Sequence, residues 1–445
     1  MAFLDKVNGA AFYDGWESQS AEEREKIIRI RLKEYISFAV EKIDFYRERI
    51  TSPDWDSEYP LKNLPILDSK ELRELVPPKS IRLLATPNAP YTVFQSGGTT
   101  GFPKTSLFTC DEIDALDLPN ARGFFALGLD KKDRVANLFA VGGLYMTFVH
   151  INRMLQQYGC MNFPFSNHTP ADFIAAITRL FNINCFAGIT SVVLDCLRQI
   201  AKMGTDGVTI DKVFYGGEHI YEADRNFLKE TFGTSLIAAP GYGTVDTWYI
   251  GYQCKSCPPG VFHAHDDQAY IEIVQEETQE HCKPEDVGML FVTPFVRRLT
   301  PIVRYRVGDR AYWLKDPCSC GRTTPCFKLL GRGDDILRIG YDFVDYAYIL
   351  DTASAIPELT SNIQIEKQRE AGMDRLIVRV ETSASSENLE NLRKRFEEIL
   401  LANRLSLRDL VKKNMVWPPR CELLTPGSIP RNPRTGKFIR VIDSI

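Results

Sequence analysis

The sequence lacks several features that would assign it to a specialised class of protein. Its apolar stretches are all too short to span a bilayer, which argues against a transmembrane protein. It has no long run of basic residues and its net charge is only -4, which argues against a nucleic-acid-binding tract. It also has no internal repeat and no low-complexity segment. These absences leave an ordinary globular protein, with neither nucleic acid nor membrane among its expected partners.

The first residues and the cysteines indicate a cellular compartment. Residues 1–10 include Asp5 and Lys6 and contain no signal-peptide core. The chain has eleven cysteines, which in the absence of a secretion signal are expected to be free thiols or metal ligands in a reducing environment. The sequence therefore predicts a cytoplasmic protein.

The length of 445 residues is too great for one small core, so we expect at least two domains. Between residues 134 and 239, short apolar runs alternate with helical patterns. Such alternation implies crossover connections and a largely parallel sheet. The predicted buried strands are Arg134–Ala140, Gly159–Phe165, Ile183–Ala187, Lys212–Tyr215 and Ser235–Ala239.

The pattern differs before and after this region. Apolar positions at helical spacing predict one long amphipathic helix over residues 21–50. After Gly260, alternating residues predict antiparallel or barrel strands, and after Asp334 a smaller α+β domain follows. The predicted fold class is α/β, with a large N-terminal domain (1–333) of mixed sheets and helices that includes a small barrel-like subdomain, and a C-terminal domain (334–445).

A glycine-rich loop over residues 95–104 has the composition of a phosphate-binding loop. Its three glycines let the backbone approach oxygen atoms, and its hydroxyls and one ammonium group can donate hydrogen bonds to them. It is not a Walker A loop, and an ordinary glycine-rich turn is the alternative. The candidate residues are Ser96, Gly97, Gly98, Thr99, Thr100, Gly101 and Lys104.

Two close pairs of cysteines flank two histidines in the middle of the chain. Zinc takes four sulfur or nitrogen ligands in a tetrahedron, so these residues predict a structural zinc site between about residues 254 and 320. Unligated thiols at turns are the alternative. We expect the cysteines to predominate among the four ligands, with either histidine able to replace one. The candidates are Cys254, Cys257, Cys318, Cys320, His263 and His265.

Five further segments follow the glycine-rich loop in a fixed order. They are Tyr215–Glu218, Gly241–Asp246, Tyr305–Asp309, Gly331–Asp335 and Pro430–Arg440. Together with the loop, they resemble the motif series of the adenylate-forming enzymes, the superfamily of acyl-CoA synthetases, luciferases and adenylation domains. The short segments Phe45-Tyr46-Arg47, Leu64-Pro65-Ile66 and Arg440-Val441-Ile442-Asp443 resemble the phenylacetate–CoA ligase branch most closely.

The resemblance implies roles for individual residues. It places Tyr242 against adenine, Asp246 on Mg²⁺ and Asp309 on the ribose hydroxyls, and stacking and hard-oxygen ligation are sound reasons for these residue types. This sequence departs from the family at Val245 and Asp246, where a hydroxyl residue and Glu are usual. The other nucleotide-binding residues that the resemblance implies are Gly217, Glu218, Gly243, Thr244 and Arg332.

The resemblance also implies a mobile C-terminal domain. Asp334 corresponds to the hinge of the family, and Lys437 to a catalytic lysine that reaches the phosphates in one of two domain positions. With Lys437, the resemblance makes Asp246 and Lys104 the catalytic residues. A lysine ammonium on a flexible stem suits the stabilisation of transient charge.

The acyl pocket is assigned by analogy alone. Its lining is apolar and aromatic and lacks the carboxylate that holds an α-ammonium group, which favours an aromatic or otherwise apolar acid over an amino acid. The implied lining residues are Phe139, Gly143, Leu144, Tyr145, Gly188, Ala239 and Gly241.

The leading hypothesis is an enzyme that joins a small carboxylic acid to ATP, releases pyrophosphate, and passes the acyl group from AMP to a thiol. Coenzyme A is the first expectation for that thiol. A carrier-protein phosphopantetheine and an amine are alternative acceptors, and a nucleotide- or acyl-binding protein without turnover is the alternative from another class. The expected cofactors are ATP, Mg²⁺ and structural Zn²⁺, and a homodimer is left open.

Overall fold

A computed structural model describes residues 12–51, 53–95, 104–218, 220, 222–333, 336–382, 388–432 and 437–443. Helices and sheets occur together, and the predicted α/β fold class is confirmed. The chain divides into two compact units, which are Met1–Gly216 with Thr234–Leu330, and Gly217–Gly233 with Gly331–Ile445. The predicted domain boundary at 333/334 stays a prediction. The grouping of Gly217–Gly233 with the C-terminal residues is a feature that the sequence did not indicate.

The helical pattern over residues 21–50 forms two helices instead of one. They are α1, Ala21–Lys42, and α2, Asp44–Arg49. Ile43, between them, has an extended backbone and a buried side chain. The break accompanies the burial of Tyr46, whose hydroxyl donates a hydrogen bond to the Pro301 carbonyl at 2.9 Å. Tertiary packing therefore interrupts a segment that periodicity alone predicts as continuous.

The remaining helices of the first unit lie mostly before and between its parallel strands. In the part of the chain that the structure describes, every helix is too short or too polar to cross a lipid bilayer. These helices are α3 Ser69–Leu75, α4 Cys110–Ala115, α5 Asp117–Ala126, α6 Thr147–Tyr158, α7 Ala171–Phe181 and α8 Thr190–Lys202.

The first unit contains the predicted parallel sheet. A two-stranded ribbon, β1 Thr92–Gln95 and β2 Thr105–Phe108, flanks the glycine-rich loop in sequence. The parallel strands are β3 Arg134–Leu138, β4 Met161–Phe163, β5 Cys185–Ile189, β6 Lys212–Gly216 and β7 Leu236–Ala238. They pair in the order β4-β3-β5-β6-β7, all parallel, so all five predicted strands are confirmed. Ligands bind near the carboxyl ends of such strands.

A second sheet of the first unit follows the parallel one in the chain. It has seven strands in the order β11-β12-β13-β14-β10-β9-β8, where the sequence predicted antiparallel or barrel strands. The strands are β8 Tyr242–Thr244, β9 Trp248–Tyr252, β10 Val261–Ala264, β11 Ala269–Val274, β12 Gly288–Pro294, β13 Tyr305–Trp313 and β14 Cys326–Arg332.

The second unit is a smaller α+β assembly with its own core, centred on residues such as Ile363, Val378 and Phe396. Its main sheet has the order β19-β18-β17-β20. Its elements are α9 Glu222–Phe232, β15 Ile336–Ile339, β16 Asp342–Asp345, α10 Tyr346–Ser354, β17 Leu359–Glu370, β18 Met373–Thr382, α11 Leu389–Asn403, α12 Leu405–Lys412, β19 Arg420–Leu424 and β20 Val441–Asp443.

Candidate active site

Lys104 and Asp246 form a buried ion pair in the first unit. The Lys104 Nζ lies 2.5 Å from Asp246 Oδ2, and it also donates to the Tyr305 hydroxyl at 2.5 Å and to Ser69 Oγ at 3.3 Å. Burial by itself would lower the pKa of Lys104, but Asp246 and Tyr305 raise it above its ordinary value. Burial and Asp246 likewise raise the pKa of Tyr305 to about 12. Lys104 is therefore a fixed positive charge, in contact with a carboxylate that the family resemblance places on Mg²⁺.

The second oxygen of Asp246 is suited to a metal ion. Among the described residues, buried Oδ1 of Asp246 has no hydrogen-bond partner. Burying a carboxylate oxygen without a hydrogen-bond partner costs free energy unless a ligand binds to that oxygen. Carboxylate oxygens are ligands that Mg²⁺ prefers. The residues present thus fit the expected cofactor, despite Asp246 being one methylene shorter than Glu.

The turn that carries Asp246 is held by the hydroxyl of Thr244. Thr244 Oγ1 accepts hydrogen bonds from the backbone N–H of Asp246 at 3.3 Å and of Thr247 at 3.1 Å. Ser106 Oγ also donates a hydrogen bond to the Val245 carbonyl at 3.1 Å. The sequence predicted that Thr244 binds nucleotide, and the structure shows its hydroxyl fixing the backbone of the turn.

Arg297 is a buried residue near this turn that the sequence did not single out. Its Nη2 donates to Ser106 Oγ at 3.1 Å, and its guanidinium stacks over the Phe108 ring at 3.7 Å. Burial lowers the pKa of Arg297, although Glu112 and Asp246 act in the opposite direction. Because its partners come from distant parts of the chain, no local sequence signal identifies it.

Tyr242 and Asp309, two predicted nucleotide-binding residues, lie together. The Tyr242 hydroxyl donates to Asp309 Oδ2 at 2.5 Å, and its ring packs against Phe262 and Phe327 with centroids 5.6 and 6.0 Å away. A Cβ added to neighbouring Gly243 would lie 2.1 Å from the Trp248 carbonyl oxygen, so glycine is required there by packing. This pair offers the ring and the carboxylate that recognition of adenosine needs.

Several predicted residues cannot be placed. The phosphate-loop residues Ser96–Gly101 and the hinge residue Asp334 lie outside the described residues. Arg332 is exposed at the end of β14. The roles of these residues stay predictions.

Lys437 lies against Gly217 within the second unit. A Cβ added to Gly217 would be 2.7 Å from Lys437 Cε and 2.8 Å from its Nζ. The neighbouring Phe438 N–H donates to Glu218 Oε1 at 3.1 Å. The structure thus brings the predicted catalytic lysine together with Gly217 and Glu218, both predicted to bind nucleotide.

The predicted acyl-pocket residues have differing surroundings. Phe139 is buried in the core on which partly buried Tyr145 packs, whereas Leu144 is 48% exposed. Gly143 and Leu144 have φ angles of 54° and 60°, which mark a tight turn after β3. Gly188 is enclosed, since an added Cβ would lie 2.7 Å from Val193 Cγ2.

Tyr249 is a candidate pocket residue that the sequence did not reveal. An added Cβ on Gly241 would lie 2.4 Å from Tyr249 Cε1, so the ring covers that glycine. Nearby, the Ala239 N–H donates to Gln253 Oε1 at 2.8 Å. Tyr249 is eight residues from Gly241 on another strand, and only the β8–β9 pairing brings the two together.

The structure gathers sulfur and nitrogen donors into one cluster. The donor atoms of Cys254, His263, Cys318 and Cys320 all lie within 4.8 Å of one another, and Cys257 Sγ is 3.5 Å from Cys254 Sγ. Burial would raise the pKa of Cys320, but hydrogen bonds, first among them that of His263, lower it to about 5. This donor set fits tetrahedral zinc.

His265, the sixth zinc candidate, lies outside this cluster. Its Nδ1 is 3.0 Å from Arg122 Nη1, and Arg122 forms an ion pair with Asp267 at 2.9 Å. Burial, followed by the charge of Arg122, lowers the pKa of His265 well below its ordinary value. His265 therefore belongs to a buried network with Arg122 and Asp267, and His263 is the histidine that lies among the cysteine donors.

Glu17, in the N-terminal 3-10 helix Gly15–Ser18, forms hydrogen bonds to the segment that contains Cys320. Its fully buried carboxylate accepts hydrogen bonds from Arg322 Nε, from the Tyr252 hydroxyl at 3.0 Å and from the Tyr13 N–H at 2.6 Å. Arg322 is two residues from Cys320. No motif or periodicity indicates this contact, which joins residues 305 positions apart.

Comparison with known proteins gives a consistent assignment. A family described as the AMP-binding enzyme C-terminal domain matches residues 348–444. A phenylacetate–coenzyme A ligase of Thermus thermophilus is 25% identical over 428 residues, which cover 93% of this chain and 95% of the relative. A phenylacetate–coenzyme A ligase of Escherichia coli is 24% identical over 439 residues, which cover 97% of each chain.

A solved structure shares the fold. A 2-hydroxyisobutyryl-CoA ligase in the postadenylation state, in complex with 2-HIB-AMP, aligns with a TM-score of 0.79 and 22% identity, covering 98% of this chain and 93% of that one. The similarity to the curated ligases runs through nearly their whole length, and the C-terminal match covers the region of Lys437. These similarities confirm the predicted resemblance to the adenylate-forming ligases and, within them, to the phenylacetate–coenzyme A ligase-like branch.

Proposed function

We propose that this ligase activates an aromatic or otherwise apolar carboxylic acid with ATP and transfers the acyl group to coenzyme A. The observation that carries the proposal is the buried Lys104–Asp246 pair, with one Asp246 oxygen balanced by Lys104 and the other left for a ligand. The names of the relatives, which are coenzyme A ligases, support the acceptor. Similarity to these ligases along nearly the whole chain argues against a binding protein without turnover.

The first half-reaction forms the acyl-adenylate. A carboxylate oxygen of the acid attacks the α-phosphorus of ATP, the bond from that phosphorus to the bridging oxygen breaks, and pyrophosphate leaves with the electron pair. Lys437 and Lys104 supply positive charge to the phosphates as charge redistributes in the transition state. Asp246 Oδ1 would hold Mg²⁺, which when bound neutralises phosphate charge. Lys104 stays protonated throughout the physiological range because its pKa is raised.

The second half-reaction transfers the acyl group. The sulfur of coenzyme A attacks the acyl carbon, the bond from that carbon to the phosphate oxygen breaks, and AMP leaves while the thiol proton is released. Tyr242 and Asp309 would hold the adenosine part in both half-reactions by stacking and by hydrogen bonds to the ribose hydroxyls. AMP is a far better leaving group than the oxygen of a free carboxylate, which is why the adenylate is made first.

The class of acid follows from the predicted lining. Phe139 and Tyr145 contribute aromatic rings from the segment after β3, and Tyr249 contributes one from β9 that covers Gly241. Aromatic and aliphatic surfaces favour an apolar acyl group through burial of its surface.

We also propose a structural zinc ion and a cytoplasmic location. The zinc would bind four of the clustered donors Cys254, Cys257, His263, Cys318 and Cys320, and would hold the β9–β10 region to the loop before β14. All eleven cysteines are free, which supports a reducing compartment.

A pyrophosphate-release assay over aryl, alkyl and amino acids tests the proposal. Aryl or alkyl acids should release pyrophosphate in the presence of ATP and Mg²⁺, and amino acids should release much less. Parallel reactions with coenzyme A, a carrier protein and a simple amine, followed by mass spectrometry, then identify the acceptor. Absence of pyrophosphate release with every acid, despite ATP binding, would contradict the proposed reaction.

A further inference from the structure

Glu218 makes a contact that nucleotide binding does not explain. It lies two residues after β6, and its carboxylate oxygen Oε1 accepts a hydrogen bond from the Phe438 backbone N–H at 3.1 Å. Both residues belong to the second unit. A carboxylate that accepts a backbone N–H forms a charge-assisted hydrogen bond, which is stronger than a bond between neutral groups.

The residue beside this hydrogen bond is Lys437. Its stem lies so close to Gly217 that any side chain there would meet Lys437 Cε and Nζ below 3 Å. Gly217 also has a φ angle of 80°, a conformation that favours glycine. The two adjacent residues, Gly217 and Glu218, therefore contact the two adjacent residues Lys437 and Phe438, one by packing and the other by a hydrogen bond.

The backbone on either side of Lys437 explains why the Phe438 N–H points toward Glu218. The Asn432 N–H donates to the Lys437 carbonyl at 2.7 Å, and the Ile439 N–H donates to the Pro430 carbonyl at 3.1 Å. The paired segments 430–432 and 437–439 are called the hairpin here. Phe438 lies between these two bonds in an antiparallel bridge with Arg431, so its own N–H faces away from the paired segment. On that side, Glu218 Oε1 accepts the hydrogen bond from the Phe438 N–H.

Two further hydrogen bonds, which do not involve Glu218, join the ends of the same hairpin to the sheet of the second unit. Gln364 Nε2 donates to the Ile439 carbonyl at 2.8 Å, and the Ile429 N–H donates to Glu381 Oε1 at 2.9 Å. These bonds fix where the hairpin leaves the sheet. They do not reach Lys437, whereas the bond to Glu218 is at the next residue.

We propose that Glu218 is a positioning residue for Lys437: its carboxylate fixes the Phe438 amide and so holds the neighbouring ammonium in place for adenylate formation. The role is distinct from the direct nucleotide contact that the sequence suggested. The inference rests on the proposed function, because it assigns Lys437 to the first half-reaction. Gly217 contributes by leaving room for the lysine stem.

Hydrogen–deuterium exchange tests the placement without requiring activity. Glu218→Ala should speed exchange of the Phe438 amide at least about tenfold, since the hydrogen bond that this amide donates to the Glu218 carboxylate is lost. Glu222→Ala, which removes an exposed carboxylate of the same segment, should leave that amide unchanged. Unchanged exchange in Glu218→Ala overturns the inference, whatever the enzyme does.

Half-reaction kinetics test the role. Glu218→Ala should slow pyrophosphate release about tenfold or more with an unchanged Kd for ATP, and should spare thioester formation from a synthetic acyl-adenylate. Glu218→Gln, which keeps an oxygen acceptor, should recover most of the loss. In a Lys437→Ala background, Glu218→Ala should add no further loss, because the two residues act as one unit.

Three results would overturn the role: a raised Kd for ATP, equal loss in both half-reactions, or full additivity with Lys437→Ala. Failure of the wild-type protein to release pyrophosphate with any acid would instead contradict the proposed function. The exchange experiment would still decide whether Glu218 holds the hairpin.

Discussion

Lys104 and Lys437 carry the same ammonium group in very different surroundings. Lys104 is buried, and Asp246, Tyr305 and Ser69, from three separate parts of the first unit, contact its Nζ. Lys437 is half-buried in the second unit, and hydrogen bonds of Asn432, Phe438 and Ile439 hold the backbone on both sides of it. Lys104 therefore supplies a fixed positive charge to the site, whereas the position of the Lys437 ammonium depends on the contacts that hold its hairpin.

The largest expected effect comes from breaking the Lys104–Asp246 pair. Asp246→Asn removes the charge that would hold Mg²⁺ and leaves a buried ammonium without its partner, so pyrophosphate release should fall about 10²- to 10³-fold. Loss of a buried pair's partner should also lower the free energy of unfolding by about 3–5 kcal/mol. Denaturant titration and the release assay measure the two effects.

Asp206→Asn, an exposed residue of the same unit, is the control and should change neither quantity. Retained activity in Asp246→Asn with unchanged Mg²⁺ dependence would mean that the metal is held elsewhere. Lys104 would then not belong to a metal-binding pair, and the contrast between Lys104 and Lys437 would not hold.

Zinc removal should have the next largest effect and should act on stability. Structural zinc contributes its binding free energy to folding, so Cys254→Ser should lower the free energy of unfolding by more than about 2 kcal/mol and abolish the bound zinc. Cys110→Ser, which alters an exposed cysteine, should do neither. Elemental analysis that finds no zinc in the wild-type protein would refute the site.

Lowering the pH should destabilise the first unit because His150 is neutral when folded, and this effect should be smaller than that of zinc removal. Burial, followed by the charge of Arg153, lowers the pKa of His150 from 6.5 to about 3, so the folded form keeps it neutral while the unfolded form takes up a proton. Its contribution to stability is therefore lost as pH falls from about 6.5 toward 3. Between pH 6.5 and 5.5 this amounts to about 1 kcal/mol.

The measurement is the free energy of unfolding at these two pH values for wild type and for His150→Gln. The variant should lose about 1 kcal/mol less over that interval, and His168→Gln, at an exposed position, should match the wild type. An identical pH slope in all three proteins would show that His150 is not neutral in the folded state.

The sequence was most informative where local pattern decides structure. The alternation of strands and helices predicts all five strands of the parallel sheet, and the spacing of Cys254, Cys318 and Cys320 anticipates a donor cluster. It was least informative where distant residues meet. The Glu17–Arg322 contact and the cover that Tyr249 provides over Gly241 depend on tertiary packing, and no periodicity or motif encodes them.

The same limit applies to the helix over residues 21–50 and to the role of Glu218. The break at Ile43 follows from the burial of Tyr46 against Pro301, and the Glu218 contact joins residues 220 positions apart. In both cases the residue types were visible, but their partners were not. Motif resemblance supplied a role for Glu218, whereas the structure supplies the atom that it contacts.

The most direct test of the account is to measure both half-reactions in Lys437→Ala. If Lys437 serves only adenylate formation, pyrophosphate release should fall at least about 1000-fold. Thioester formation from a synthetic acyl-adenylate and coenzyme A should stay within about threefold of wild type. Equal loss in the two half-reactions would show that Lys437 has a structural role, and would contradict the assignment of a positioned lysine to the first step.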